Sequence, residues 1–377
     1  MVEHKFLLLW MLIVVFFSYC IFSMKIFFFI DSVSDDSRRK NVDGLRFFLS
    51  ALVAFHHYVL CYYYFEGKGW ALENLSDYAF NMRAGSVAVM IFFILSGFLF
   101  YGLKTDKWDV FYFKRFLRIA PVFFFSSLIC IAVAAFIRRH ELDYTDFRYS
   151  FLLWFDAGIT GEKSSLLGMP DSMFINASVT WTLFWEWGLY FSLPLVLLLR
   201  DKAKPLTFSL ICLFLSVYVF RVMKPEYSIF LACFSCGFLA RAWVFDKRYS
   251  KLKCDIGVLS CVGILFLFYE SPYSIYALPV LALLFIFIVS GGDVFGLLSC
   301  RAMVRLGEIS YSIYLLHGIF WFCMNYFIKH FGGGISTTAY MIISAATFIA
   351  MLLFSSLTYQ FIEKPFMKIA MRLGKKS

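Results

Sequence analysis

Residues 45–57 run Leu45-Arg46-Phe47-Phe48-Leu49-Ser50-Ala51-Leu52-Val53-Ala54-Phe55-His56-His57, and their reading decides the fold. The stretch is apolar except for an arginine near one end and two histidines at the other. At about 100° and 1.5 Å per residue, the step from Arg46 to His57 is three helical turns plus roughly 20°, with a rise of roughly 16 Å. The two side chains therefore share one helix face, and His56 falls about 80° away from it. Ionisable groups at membrane depth are costly, so their presence points to function. A guanidinium at the surface with a titratable imidazole about half a bilayer deeper has the geometry of a site.

The rest of the chain agrees with a membrane setting. Of its 377 residues, 61% are hydrophobic, 21% aromatic and only 16% charged, against about 25% charged in a soluble domain. Apolar runs of spanning length occur near 6–30, 45–65, 85–103, 119–137, 179–199, 206–221, 226–241, 256–270, 273–290, 304–328 and 338–362. The expected fold is thus an all-α polytopic membrane helical bundle of about eleven transmembrane helices. Three runs, at 206–221, 226–241 and 256–270, are short and have soft ends. Residues 138–178 are expected to form a loop that dips toward the membrane.

The net charge of +10 does not indicate a nucleic-acid partner. When the loops are assigned to alternate sides, 24 of the 35 Lys and Arg residues fall on one side and 10 on the other, with Lys25 inside the first run. The positive-inside rule makes the richer side cytoplasmic. The N-terminus is then expected outside and the C-terminus inside. Residues 6–30 are too long for a signal-peptide core and no small-residue cleavage site follows, so they are expected to be a retained helix.

The ten cysteines lie mostly in apolar runs, where a thiol behaves as a small hydrophobe. Cys233 and Cys236 have CxxC spacing but sit mid-helix without a second pair or a histidine, so core packing is expected and no metal. No internal repeat, low-complexity tract or Gly-rich phosphate loop is visible.

Further buried polar groups follow from the same arithmetic. In the run at 304–328, His317 lies thirteen residues up, near 20 Å by helical rise. In the run at 179–199, Glu186 stands about two turns below the outer surface and Tyr190 one turn deeper on the same face. His57, His317 and Glu186 are therefore expected in one slab, facing one another or a wet cavity. The plainer alternative is a structural cluster in which Glu186 pairs with one histidine. His56 is read as a structural neighbour. Arg115 and Arg118, three residues apart, project from one helix face, and with Arg46 they form a candidate tri-arginine mouth. Guanidinium forks suit phosphate oxygens; the alternative is a basic flank that snorkels to lipid headgroups. Asp43 is expected to be the N-cap of its helix.

Taken together, these segments resemble the acyltransferase 3 family of bacterial membrane acyltransferases. The resemblance rests on Gly44-Leu45-Arg46 with His57, Phe92-Phe93-Ile94-Leu95-Ser96-Gly97-Phe98-Leu99 and Arg115-Phe116-Leu117-Arg118-Ile119-Ala120-Pro121. It continues through Trp181-Thr182-Leu183 with Glu186 and Tyr190, Ile309-Ser310-Tyr311-Ser312-Ile313-Tyr314-Leu315-Leu316-His317, and Ile362-Glu363-Lys364-Pro365-Phe366. It implies a ten-helix core over 43–366 that takes an acyl group, acetyl above all, from cytoplasmic acyl-CoA. The implied acceptor is a cell-surface polysaccharide such as O-antigen or exopolysaccharide, or its lipid-linked precursor, at the bacterial inner membrane. Carried over by position, Arg46 and His57 are the paired essential residues, Arg115 and Arg118 match the RxxR that serves the CoA phosphates, and Glu186 matches the acid of the Trp-Ser/Thr-Leu motif. Many members carry an acid where this chain has Met90. Residues 1–42 form an N-terminal extension with the extra helix, and 367–377 a basic cytoplasmic tail. Because only eleven residues follow Phe366, transfer is expected to be completed by the membrane core or by a separate extracytoplasmic partner. Self-association is the remaining partner reading, beside the membrane lipids themselves.

The expected mechanism places acyl-CoA phosphates on Arg46, Arg115 and Arg118, with the pantetheine arm extending to His57. With an unperturbed pKa of about 6.5, His57 can act as general base, or as the nucleophile itself. Glu186 is expected to orient the imidazole as a triad acid does. Tyr190, His317 and Trp181 are candidate substrate contacts. The competing class is a transporter or flippase using the same His/Glu cluster as a proton relay. Neither repeats nor Gly/Pro breaks beside His57 support it.

Overall fold

The structure is a computed structural model that describes residues 4–31, 39–145, 147–222, 225–244, 250–269 and 272–375. Arg38, Lys224, Lys247, Arg248 and Lys376 of the charge tally lie outside them.

Helices follow one another as α1 (His4–Ser23), α2 (Lys40–Tyr63), α3 (Ala79–Tyr101), α4 (Trp108–Ile137), α5 (Phe147–Trp154), α6 (Trp181–Arg200) and α7 (Pro205–Val222). Then come α8 (Pro225–Val244), α9 (Lys251–Phe268), α10 (Leu278–Val289), α11 (Arg301–Glu308), α12 (Ser310–Phe331), α13 (Thr337–Thr358) and α14 (Lys364–Lys375). No β-strand occurs among the described residues. Each of the eleven apolar runs carries one of these helices, the run at 304–328 being broken at Ile309 between α11 and α12. The chain is an all-α polytopic membrane bundle.

Seven helical segments among the described residues are long and apolar enough by themselves to cross a bilayer, and two more, Ser228–Trp243 and Ile275–Val289, are apolar but shorter. The remaining two runs carry more charged or polar residues. Lys251, Lys253 and Asp255 open α9, and α12 carries Tyr311, Ser312, Tyr314, His317 and Asn325. In an apolar bundle, a helix with that many polar side chains must turn them inward. On α12, Ser312, His317 and Asn325 are buried.

The centre of the bundle is α2, buried along most of its length against α3, α11 and α12. Its start is fixed by a reciprocal close approach. A Cβ on Gly44 would lie 1.9 Å from the Leu298 carbonyl oxygen, and one on Gly307 would lie 1.9 Å from that of Asp43. Only glycine allows backbones so near, the usual device of membrane helix crossings. The helix begins at Lys40, with Arg39 as N-cap residue. Asp43 is therefore not the N-cap expected of it. It lies in the first turn, where its carboxylate still meets the positive end of the helix dipole.

The first helix is bolted to the core. Trp10 stacks on Tyr58 of α2 with ring centroids 4.9 Å apart and donates its indole N–H to the Met341 carbonyl at 3.1 Å. After α1, Asp31 receives Arg301 and Arg305, each at 2.6 Å. Arg305, 1% exposed, also donates to the carbonyls of Phe22 and Met24. These guanidiniums, the Arg305 hydrogen bond above all, hold the Asp31 carboxyl below the usual carboxylate range.

The segment between α4 and α6 folds into the bundle as expected of a dipping loop. Trp154 is fully buried, and a 3-10 turn at Ser172–Asn176 packs on α12. Ala157 accepts the Trp187 indole N–H at 2.9 Å, and Gly158 lies against Leu183. The loop thus covers the first two turns of α6.

Candidate active site

Arg46 on α2 and Arg115 and Arg118 on α4 line one cavity of about 240 Å³. The expected tri-arginine grouping is therefore present, and the three-residue spacing of Arg115 and Arg118 does bring both to one face. Apolar side chains from α3, including Phe92, Phe93 and Leu99, form much of the remaining wall.

The arginines differ in their surroundings. Arg118 is paired with Glu363, a fully buried carboxylate in the π-helical turn Tyr359–Glu363, whose other oxygen accepts from Ser312 at 2.8 Å. Arg46 lies among the charges of Asp43, Glu308, Glu363 and Arg118. Arg115 stands over the rings of Phe100 and Phe111, at 5.3 and 5.7 Å. Among the described residues no carboxylate is ion-paired with it, and its buried Nε has no hydrogen-bond partner. Arg115 is the guanidinium best able to take a new anion.

Glu186 and Tyr190 also line this cavity. The Tyr190 hydroxyl donates to the Glu186 carboxylate, one turn apart on α6. Glu186 makes no hydrogen bond to His57 among the described residues, so the expected acid behind the base is not there. On α6, Glu186 faces Tyr190 within the arginine cavity and not the histidine pair. Trp181 does not line this cavity. Its ring packs on Phe230 at 5.3 Å and edge-on to Tyr273 at 6.3 Å, and its neighbour Thr182 faces the cavity instead.

The partner of His57 is His317. Nδ1 of His57 lies 3.0 Å from Nε2 of His317, and Nδ1 of His317 lies 3.2 Å from the Ile313 carbonyl oxygen. A carbonyl only accepts, so His317 carries its proton on Nδ1 and presents a lone pair at Nε2. His57 then donates from Nδ1. The lone pair of His57 is left on Nε2. Hydrogen bonding alone thus fixes both tautomers. His56 is held elsewhere, against the Asn81 carbonyl at 3.1 Å, in the structural role expected of it.

Tyr314 joins the two regions. It lines the arginine cavity, and its ring lies edge-on to His317 at 6.1 Å. Its hydroxyl bonds to Thr182 Oγ1 at 2.9 Å and donates to the Val179 carbonyl at 3.2 Å. Tyr314, Thr182, Glu363 and Ser312 had no role in the sequence reading, although all four stand within or beside the segments that carried the resemblance. Their signal was polarity within apolar runs, which does not say which neighbour each will meet.

A family model described as an acyltransferase domain, acyltransferase 3, matches residues 39–360. The chain belongs to the acyltransferase 3 family. No curated protein and no solved structure matches it. The match begins just before α2 and covers every residue of the cavity and of the histidine pair. This acyltransferase 3 protein is a multi-pass membrane acyltransferase.

Proposed function

We propose that the protein transfers an acyl group, acetyl above all, from acyl-CoA to a hydroxyl of a cell-surface polysaccharide or its lipid-linked precursor. The reading is carried by one observation: a cavity bearing three arginines leads, through Tyr314, to a histidine whose free lone pair is defined by a second histidine. The charge distribution supports an inner-membrane protein with the arginine end cytoplasmic, the N-terminus outside and the C-terminus inside.

The donor chemistry fits the residues. The cavity is smaller than the roughly 300–1,000 Å³ of pockets that enclose a drug-sized ligand, so it suits the slender acyl-pantetheine arm, with the bulk of CoA outside. Arg115, lacking an acid partner, is the principal phosphate ligand, and Arg46 and Arg118 add positive field. The roughly 16 Å rise from Arg46 to His57 matches the reach of an extended arm.

In the transfer step, His57 Nε2 takes the proton from the acceptor hydroxyl as the oxygen attacks the thioester carbonyl. Collapse of the tetrahedral adduct breaks the C–S bond, and the proton passes from His57 to the departing thiolate. His317 accepts from His57 Nδ1 throughout and keeps the ring oriented, as the third group of a triad does.

The test is the full-length protein in membranes with labelled acetyl-CoA and an extracted surface glycan. Release of CoA together with label on the glycan is expected, and its loss in His57→Ala at unchanged protein level. Full turnover in His57→Ala, or no consumption of acyl-CoA by the parent protein, would overturn the reading.

A further inference from the structure

Beyond Tyr63 the chain leaves α2 at the end away from Arg46 and turns back over it. The reversal passes through Gly67 and Gly69, with φ of 80° and 74°, a region that favours glycine. A Cβ at either position would meet nothing within 4 Å, so both glycines face open space. Trp70 follows directly. Its indole lies over the His57 imidazole, with ring centroids 5.9 Å apart and planes within 26°.

Phe174, from the 3-10 turn of the re-entrant loop, stacks on Trp70 at 4.8 Å and 5°. Tyr64 is set edge-on to Trp70 and to Phe174, at 6.2 and 5.3 Å, and its hydroxyl donates to Asp171 at 3.2 Å. The imidazole is thereby covered by an indole that a second ring backs.

A general base beside a thioester can deprotonate water as well as an alcohol. Hydrolysis forms a C–O bond from water, breaks the C–S bond and returns the proton to the thiolate through the same nitrogen. Excluding water from the base is the established way to suppress that loss. We propose that Trp70 is a specificity-determining residue, covering His57 so that the acyl group goes to an acceptor hydroxyl and not to water. It rests on the reading of His57 as the base. The indole moves aside on the Gly67–Gly69 turn when the acceptor enters.

The experiment uses the full-length protein in lipid nanodiscs. With labelled acetyl-CoA and no acceptor, Trp70→Ala is expected to release acetate severalfold faster than the parent, and Trp70→Phe to stay close to it. Phe174→Ala, which leaves the indole unbacked, is expected to shift acetate release in the same direction by less. Independently of turnover, a His57→Cys protein is treated with a charged methanethiosulfonate, and modification at position 57 is followed by peptide mass. Adding Trp70→Ala is expected to speed that modification severalfold. An unchanged modification rate overturns the cover itself. Faster modification with unchanged acetate release overturns the specificity role. Faster modification with no acetyl-CoA consumed by any protein overturns the acyl-transfer reading and leaves the cover standing.

Discussion

His317 Nε2 accepts from His57 Nδ1 at 3.0 Å, and so occupies the place that a carboxylate takes behind the histidine of a triad. A neutral imidazole orients without adding a formal charge to the bundle. Replacing His317 with alanine removes the acceptor and frees the His57 ring to turn. Turnover is expected to fall about 10²-fold or more, within the range that positioned acid–base groups contribute, with little change in the acyl-CoA concentration for half-maximal rate. Equal loss in both parameters would assign His317 to substrate binding.

Glu186→Gln separates the two candidate partners of the base. Glu186 accepts from Tyr190 inside the arginine cavity, so the variant is expected to keep the shape of the parent pH–rate profile. Its acyl-CoA requirement is expected to change, because a carboxylate lining the arginine cavity has been neutralised. A displaced pH–rate profile would restore Glu186 to the position behind His57.

Arg115 and Arg118 are expected to fail differently. Arg115→Ala removes a guanidinium without an ion-pair partner, raising the acyl-CoA requirement while thermal stability in detergent stays near the parent's. Arg118→Ala leaves Glu363, 1% exposed, without its cation. Breaking a buried pair from one side costs about 3–5 kcal/mol, so that variant is expected to lose stability as well. The double variant Arg118→Ala with Glu363→Ala is expected to recover part of the stability, but not the donor requirement. Equal melting temperatures for the two single variants would contradict the pairing.

The latch on the first helix titrates. Arg305 and Arg301 hold Asp31 below the usual carboxylate range, so the folded state favours the ionised form. Its contribution is complete above the ordinary carboxylate pKa of about 3.9 and is lost as the pH falls through the lower folded value. Thermal unfolding of the parent in detergent is expected to show this loss on acidification, whereas Asp31→Asn starts lower at neutral pH by about 1.5–3 kcal/mol and loses less on acidification. Parallel curves would remove Asp31 from the latch.

The helices were legible because a bilayer imposes length and apolarity on every span, and each of the eleven runs proved helical. Boundaries were less so. Polar flanks such as Trp108–Arg118 continue α4 well before its apolar run begins, since a helix does not stop where its hydropathy falls. Arg115 and Arg118 were placed on one face by periodicity within a single helix, and both line the cavity. Glu186 faces Tyr190 and the arginine cavity, and helical rise does not encode which neighbouring helix a side chain meets. The proximity of His317 to His57 needed the rotation of one helix against another, which the sequence shows only as shared depth. Trp70 gave no signal, since a tryptophan in a loop is unremarkable until the loop folds back.

Tyr314 has a consequence for the membrane as a barrier. An enzyme that takes a substrate from one compartment and serves another risks opening a continuous wet channel, through which protons and ions would run down their gradients. Here the ring that walls the arginine cavity also abuts the histidine pair, and its hydroxyl is tied to α6 through Thr182. Until an acyl arm displaces it, that ring stands between the two halves of the site, as the closed door of an airlock does. A cell can then keep such a protein in an energised membrane at no standing cost to its proton-motive force.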